Sequence, residues 1–395
     1  MLDRVLDDTQ SAEVRRVVPM LTLARLSTNA VYRYAPPFIA TIARGLDVDI
    51  ADVGVALAIA EASGLASPLI GRFVDRIPRR VAMTGGMTGT AVGAVIAGAS
   101  GDIVWFAAGL LVLSLTKVVF DIGLIAWTAD HVPYERRGRV VGVIETSWAL
   151  GLLIGVSSLG VLTALTSWRW AYGVGGLLVL ITGIVLFVRV GPDPPRQHVA
   201  VASPTGRLAP AGWLAIIGMF GLMAAAQSLF VTFGPWLEDV FGFGTIGLAA
   251  VTFGIGALEL AASTTSAFRT DRWGKERSVV RGTLLMIPCA AILAAFDTRL
   301  AVGLVALGVF IAGFEFAIVS TIPIGAELVP GSPGRGVGTM VAWATVGRAL
   351  MAIPATRLYD RYGLTPAALM AVAFAALACI AMLTRHRRLM PGSRW

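Results

Sequence analysis

The sequence predicts an all-α integral membrane protein of twelve transmembrane helices in two pseudo-symmetric six-helix halves. Three observations carry this expectation: a composition too apolar for a soluble surface, twelve apolar runs of spanning length, and an internal repeat. Of the 395 residues, 56% are hydrophobic and 14% charged, with a mean hydropathy of +0.78. Soluble chains carry about 25% charge. The surplus apolar surface therefore faces lipid.

A spanning helix needs roughly 20 apolar residues, because ~30 Å of hydrocarbon is crossed at 1.5 Å per residue. Such runs fall at 17–43, 51–70, 81–98, 103–129, 138–164 and 170–190 (spans 1 to 6). A second set falls at 212–237, 245–267, 278–296, 300–328, 336–356 and 365–384 (spans 7 to 12). Between the sets lies a Pro-rich polar stretch, 191–211, which reads as a linker between domains 1–190 and 212–395. The opening residues, 1–16, are polar and mixed in charge, so no cleavable leader is expected and span 1 is a retained helix.

The net charge of +8 does not point to nucleic acid here, since the basic residues sit in short loops between apolar runs. With the N-terminus placed in the cytoplasm, 23 of the 32 Lys and Arg fall on the cytoplasmic side and 5 outside. That bias predicts both termini inside, in a multi-pass protein of the inner (plasma) membrane. Cys289 and Cys379 lie within apolar runs, and His131, His198 and His386 are read as loop or tail residues. No disulfide framework, metal cluster or catalytic cluster emerges, so no cofactor and no enzyme activity are expected. No G-x-x-x-x-G-K-[ST] phosphate loop is present, which excludes ATP as an energy source within this chain.

The halves repeat one another. Gly71-Arg-Phe-Val-Asp75-Arg76-Ile-Pro-Arg79-Arg80 follows span 2, and the segment with Asp271, Arg272 and Lys275 follows span 8, at an offset of 196. Asp130, Pro133, Arg139, Trp148 and Gly151 recur as Glu327, Pro330, Arg335, Trp343 and Gly347 at offsets of 195 to 197. Parallel repeats of this length mark transporters.

At these residues the chain resembles the major facilitator superfamily, and within it bacterial drug or sugar efflux permeases. GRFVDRIPRR is similar to that family's G-x-x-x-D-R-x-G-R-R loop, with Pro78 in place of a glycine. DHVPYERRGR after span 4 and SWRWAY after span 5 also resemble family segments, and the likeness covers essentially the whole chain. The resemblance implies a conformational latch on the cytoplasmic side, made of Gly71, Asp75, Arg76, Arg79, Arg80, Asp130 and Arg139. Its second-half counterpart is Asp271, Arg272, Glu327 and Arg335. Arg76, Arg79 and Arg80 are placed to pair with Asp130 or Glu135, or else to enforce topology alone. The Gly-Pro motif that many proton antiporters of the family carry in span 5 is absent. Span 5 has Gly151, Gly155 and Gly160 instead, suited to close helix packing.

Ionisable groups inside a bilayer cost at least ~2.5–3.5 kcal/mol each, so they mark functional sites by default. Span 1 carries Arg25, Asn29 and Arg33 on one helical face, flanked by Tyr32 and Tyr34. Span 2 carries Glu61, and span 4 carries Lys117 and Asp121 one turn apart, as a structural pair or as part of a cavity. Gln227, Glu259, Glu315 and Arg348 lie in spans 7, 8, 10 and 11. Glu145, near the inner end of span 5, is expected to reach loop arginines. No basic residue lies within one turn of Glu61 or Glu259 in the sequence. The proton-coupling candidates are therefore Glu61, Glu259, Asp121 and Glu315. The family fold places spans 1, 4, 7 and 10 around a central cavity, which makes Arg25, Asn29, Tyr32, Arg33, Lys117 and Gln227 candidates for contact with the solute; Arg348, at similar depth in span 11, is a further candidate. Spans 2 and 11 are neighbours in that fold, so Glu61 is expected to meet Arg348 or Arg33 in one state. Trp127, Trp148, Trp236 and Trp343 read as interface anchors or as stacking surfaces.

These readings converge on secondary active transport of a small solute by alternating access, coupled to protons and directed outward. The partners are the lipid bilayer, the solute and protons, with the chain acting as a monomer. Alternatives of the same fold are a passive facilitator, an uptake symporter or a lipid flippase. A receptor or scaffold without transport would show large extramembrane segments, which this sequence lacks.

Overall fold

The structure is a computed structural model. It describes residues 11–132, 134–191, 208, 210–329 and 333–389, and of these it leaves out the side chains at 134–139, 267–268, 271, 326 and 333–335. Most of the expected linker, His198, and the side chains of Arg139, Asp271 and Arg335 therefore lie outside the described residues. The described residues are helical with no strand.

Eleven helical runs among them are long and apolar enough to cross a membrane. Spans 2 to 6 are Ile50–Val74, Arg79–Ala99, Ile103–His131, Val140–Leu165 and Trp168–Arg189. Spans 7 to 12 are Pro210–Phe241, Thr245–Ser266, Lys275–Ala295, Leu300–Gly325, Gly336–Tyr362 and Leu364–Leu389. The remaining expected span, the first, is a helix over Ala12–Tyr32 capped by Ser11, a 3-10 turn at Pro36–Phe38 and a short helix Ile39–Leu46. Its unbroken helix includes Glu13, Arg15, Arg16 and Arg25, so no single segment reaches the apolar length of the others.

Helix ends depart from the apolar runs for a simple reason. Hydropathy stops at the headgroups, whereas the hydrogen-bond ladder does not. Span 8 continues to Trp273, span 4 to His131 and span 12 to Leu389. His131 and His386, expected in loop and tail, are consequently helical, and His386 is buried.

By internal contacts the chain forms two compact units. One comprises Met1–Ala35, Ala66–His198 and Gly244–Gly256; the other comprises Pro36–Leu65, Val199–Phe243 and Ala257–Trp395. Within the first, span 3 packs on spans 4 and 6, and span 1 on spans 5 and 6. Within the second, span 9 packs on spans 10 and 12, and span 7 on spans 11 and 12. Each pair in one unit has its counterpart six spans later in the other, as an internal repeat requires. The repeat extends to single residues. A Cβ at Gly86 would lie 2.6 Å from the backbone nitrogen of Phe120, and one at Gly282 would lie 2.5 Å from the carbonyl of Gly313. Both glycines, 196 residues apart, let one helix backbone touch the next. That contact drives association where lipid is as apolar as leucine.

Span 5 departs from ideal helix. Gly151–Val156 is a π-helical segment between the α-helices Tyr134–Leu150 and Ser157–Leu165. The glycines expected to allow close packing do so here. A Cβ at Gly155 would meet the Ala30 Cβ at 2.4 Å, and one at Gly151 the Asn29 Cβ at 2.8 Å.

Candidate functional site

In the first unit, four charged side chains from three spans join inside the helices. The Arg25 Nη1 lies 2.7 Å from Glu145 Oε1, and its Nε 3.4 Å from Asp121 Oδ1. The Lys117 Nζ lies 2.6 Å from Asp121 Oδ2. Two cations thus meet two anions, which makes the group neutral and leaves each charge compensated in a setting where an isolated one would be costly. The Lys117 ammonium also sits 5.2 Å from the Tyr32 ring centroid. Glu145 was expected to reach loop arginines. It pairs with Arg25 instead, because span 1 packs directly on span 5 and brings the guanidinium within reach.

The polar face of span 1 is directed at span 5 along its length. The Asn29 Nδ2 donates to the Ser147 carbonyl at 3.3 Å, and the Arg33 Nη1 to the Trp148 carbonyl at 2.9 Å. The Arg33 guanidinium also lies 4.4 Å from the Trp148 ring centroid. These donors act a few residues before the π segment, where the helix widens and its ladder changes step. Asn29 is wholly buried and Arg33 nearly so.

The second unit holds the remaining intramembrane charges. Arg348 Nη2 lies 2.5 Å from Glu61 Oε1, which joins span 2 to span 11 as expected for one state. Both side chains are largely enclosed. The two helices approach closely: a Cβ at Gly54 would lie 2.1 Å from the Thr356 hydroxyl, and one at Gly64 would lie 2.6 Å from Thr345. Glu315 accepts from the Ser263 hydroxyl at 2.5 Å. Glu259 and Gln227 are buried.

At the expected latch, Arg79 is the hub. Its Nε donates to Asp130 Oδ2 at 3.0 Å, and its Nη1 to Asp75 Oδ1 at 3.2 Å and to the Val74 carbonyl at 3.0 Å. The Asp75 amide in turn donates to the Gly71 carbonyl at 2.9 Å. The ends of spans 2 and 4 are thereby tied to the start of span 3. Arg80 does not pair with Asp130; its guanidinium lies 3.6 Å from the Phe187 ring centroid, and Arg76 is exposed. Lys275 pairs with Glu327 in the second unit. Lys275 and Glu327 stand 196 and 197 residues after Arg79 and Asp130, so the ion pair itself is repeated. Arg272 is exposed.

Several polar contacts had no signal in the sequence reading. At the other end of the helices Arg44 lies 2.5 Å from Glu238, Tyr359 donates to Asp239 at 2.7 Å, and Asp360 accepts from the Ala51 amide at 2.9 Å. These pairs are far apart in sequence, and only the fold reveals them. The tryptophans divide by environment. Trp127 is buried and stacked on His131 at 4.3 Å. Trp236 is buried and donates to the Asp297 carbonyl at 2.8 Å. Trp343 is exposed and contacts Phe220 edge-on. No group of three His, Cys, Asp or Glu suited to a metal ion occurs among the described residues.

The two sets of spans thus pack alike, pair charges inside apolar helices and repeat an Arg/Lys–carboxylate tie. The chain belongs to the Major Facilitator Superfamily, whose sequence profile matches residues 21–347. It is 26% identical over 199 residues to the uncharacterised MFS-type transporter YwfA of Bacillus subtilis, covering 48% of each chain. It is also 26% identical over 176 residues to the putative uncharacterised transporter YgaY of Escherichia coli K12, covering 43% of each. The chain thus matches less than half the length of these relatives. Among solved structures it resembles a bacterial homologue of the human lysosomal transporter Spinster, in an inward-facing and unoccupied conformation. That match has a TM-score of 0.80 at 12% identity and covers 97% of this chain and 100% of the other. The human organic anion transporter MFSD10 (TETRAN) matches with a TM-score of 0.67 at 18% identity, over 95% and 100%. These two likenesses concern the fold.

Proposed function

We propose that this protein exports a small solute by alternating access, driven by the proton gradient, with Glu61 as the coupling carboxylate. The observation that carries this reading is the 2.5 Å Glu61–Arg348 pair within spanning helices. A carboxylate there has two tolerable states. It is ionised beside a cation, or protonated when the cation has moved away, because a lone charge costs at least ~2.5–3.5 kcal/mol. A conformational change that separates the pair therefore takes up a proton, and one that restores it releases the proton. The proton then favours one conformation over the other, which is the condition for coupling.

In this reading, domains 1–190 and 212–395 move about the solute, and the Arg79–Asp130 and Lys275–Glu327 ties hold each domain's inner end. Arg25, Lys117, Asp121 and Arg33 supply the charged side of the solute site. The excess of basic residues in inner loops places both termini in the cytoplasm of a plasma-membrane monomer, and no step calls for enzyme chemistry.

A thermal-shift screen on purified protein identifies the solute, since a ligand of the folded state raises its stability. With that compound in proteoliposomes, Glu61→Gln is expected to abolish accumulation driven by an imposed pH gradient while downhill exchange continues. Uphill transport by Glu61→Gln at the wild-type rate would remove Glu61 from the role and pass it to Glu259, Asp121 or Glu315.

A further inference from the structure

The inner half of span 8 meets span 10 through a column of hydroxyls that ends on a carboxylate. Glu259, Ser263, Ser266 and Thr270 follow one another at steps of four, three and four residues, which is one stripe of a helix. Facing them on span 10 are Glu315 and Ser320. The contacts are short and consecutive. Thr270 Oγ1 lies 2.8 Å from Ser320 Oγ, and Ser320 Oγ lies 2.9 Å from Ser266 Oγ. Ser266 and Thr270 are themselves 3.0 Å apart. One turn further along, Ser263 Oγ donates to Glu315 Oε1 at 2.5 Å. The Phe316 carbonyl accepts from both Ser266 and Ser320, at 3.2 and 2.9 Å. Ser266 and Ser320 are wholly buried, and Thr270 and Glu315 nearly so.

This arrangement is more than the usual fate of hydroxyls in helices. Neighbouring Thr264 and Thr265 are exposed and donate only to their own i−4 carbonyls. The three hydroxyls of the column also contact one another across two helices, and each can act as donor or acceptor. Their mutual distances of 2.8 to 3.0 Å are those of O–H···O bonds. The Phe316 carbonyl competes for the Ser266 and Ser320 protons, so the hydroxyls hand a proton along the triangle when they rotate toward one another. Ser263 stands one turn from Ser266 on the same stripe, and the path proposed below crosses that step through one water. Thr270 lies one turn from the end of the helix at Trp273. Among the elements packed against span 10, span 7 adds Glu238 and Asp239, both near its far end and paired with Arg44 and Tyr359. Span 9 adds Cys289 at mid-helix and its basic residues Arg277 and Arg281 near the inner end, with Arg281 against Trp273 at 4.6 Å. Span 11 adds Arg348 at mid-helix, paired with Glu61.

We propose that Thr270, Ser320, Ser266 and Ser263 form a proton wire that loads and unloads Glu315, with Glu259 one turn beyond, from the inner end of span 8. A proton from water at Thr270 is taken up on its oxygen as the hydroxyl releases its own proton to Ser320. The hand-over repeats through Ser266, the bridging water and Ser263 until Glu315 Oε1 holds a proton. The solution loses one proton, the carboxylate becomes a carboxylic acid, and the hydroxyls turn to restore the chain. The inference rests on the proton-coupled reading and adds Glu315 to it as a second proton-carrying carboxylate beside Glu61.

The test needs no solute. The full chain is reconstituted in lipid, given a rapid downward pH step, and followed by time-resolved infrared absorption of protonated carboxyls. Glu315→Gln and Glu259→Gln assign the band. Ser266→Ala with Ser320→Ala is expected to slow the rise of the Glu315 band at least tenfold with its final amplitude unchanged. Ser320→Thr alone, which keeps the hydroxyl, is expected to retain the wild-type rate. Thr270→Val removes the entrance hydroxyl with little change of shape and carries the same expected slowing, so the result stands even if the double variant fails to fold. An unchanged rate in Thr270→Val overturns the wire. So does a Glu315 band that responds to added sodium at fixed pH, which would assign the oxygens to a cation. A Glu315 band that titrates at full rate in every variant contradicts the wire alone. Absence of any titrating carboxyl band in the wild-type protein contradicts the proton-coupled reading as well.

Discussion

At the scale of residues, Arg25, Lys117, Asp121, Glu145, Glu61 and Arg348 set their charges inside the helices in compensated groups. Arg25 holds the first of these together, since it alone contacts both Asp121 and Glu145. Breaking a buried pair from one side leaves an uncompensated charge and costs about 3–5 kcal/mol. The Glu145 side chain is 44% exposed against 13% for Arg25, so water can replace much of what Glu145 contributes. Exposed pairs are worth about 0–1 kcal/mol. Arg25→Met is therefore expected to lower the unfolding temperature in detergent well below that of Glu145→Gln. Equal shifts would contradict the view that Arg25 is the hub. Charges in apolar runs announced themselves in the sequence because the bilayer makes them costly, and so Arg25, Lys117, Asp121, Glu61 and Arg348 stood out. Their partners were legible where they shared a helix, as Lys117 and Asp121 do, or where the family fold sets two spans side by side, as for Glu61 and Arg348. Arg25 and Glu145 lie 120 residues apart, and the reach of one to the other follows from how span 1 packs on span 5. Ser263, Ser266, Thr270 and Ser320 drew no attention because serine and threonine barely disturb hydropathy. Their spacing on one stripe of span 8, continuing from Glu259, was the signal available.

At the scale of elements, the packing of spans 1 and 5 depends on the glycines of the π segment. With 2.4 Å between a Cβ at Gly155 and the Ala30 Cβ, no rotamer relieves the clash, and one backbone has to move. Overpacking of this kind costs about 1–3 kcal/mol. Gly155→Ala is expected to lower thermal stability by that amount, and Ala30→Gly in the same chain to restore most of it, because the second change removes the opposing carbon. Failure of the double variant to recover would mean that Gly155 is required for its backbone rather than for the space it leaves. The need for close approach was readable from Gly151, Gly155 and Gly160 within an apolar run. The π-helical geometry was not, since hydropathy and spacing do not distinguish it from α-helix, and the Asn29 and Arg33 bonds just upstream of it appear only in the fold. Span ends were misplaced by several residues for a related reason. Arg272 and Trp273 continue the helix of span 8 after its apolar stretch ends, and composition marks the edge of the lipid rather than the end of the helix.

At the scale of the whole molecule, lipid exposure explains the composition, and duplication explains the pattern of contacts. The same span pairings occur in each unit, the same glycine contact joins the third span of each repeat to its fourth, and the same basic–acidic tie recurs at matching helix ends. The fold was legible because length, hydropathy and the 196-residue offset each restrict it independently. The solute was not, because polar groups inside apolar runs mark a position in the sequence without specifying what they bind. The central claim is that proton binding inside the membrane drives solute movement. The most direct measurement uses wild-type proteoliposomes with an imposed pH gradient and no other ion gradient, and follows the solute identified by thermal shift. The account predicts accumulation on the acidic side, which is lost when a protonophore collapses the gradient. Equal solute distribution with and without the pH gradient would contradict it.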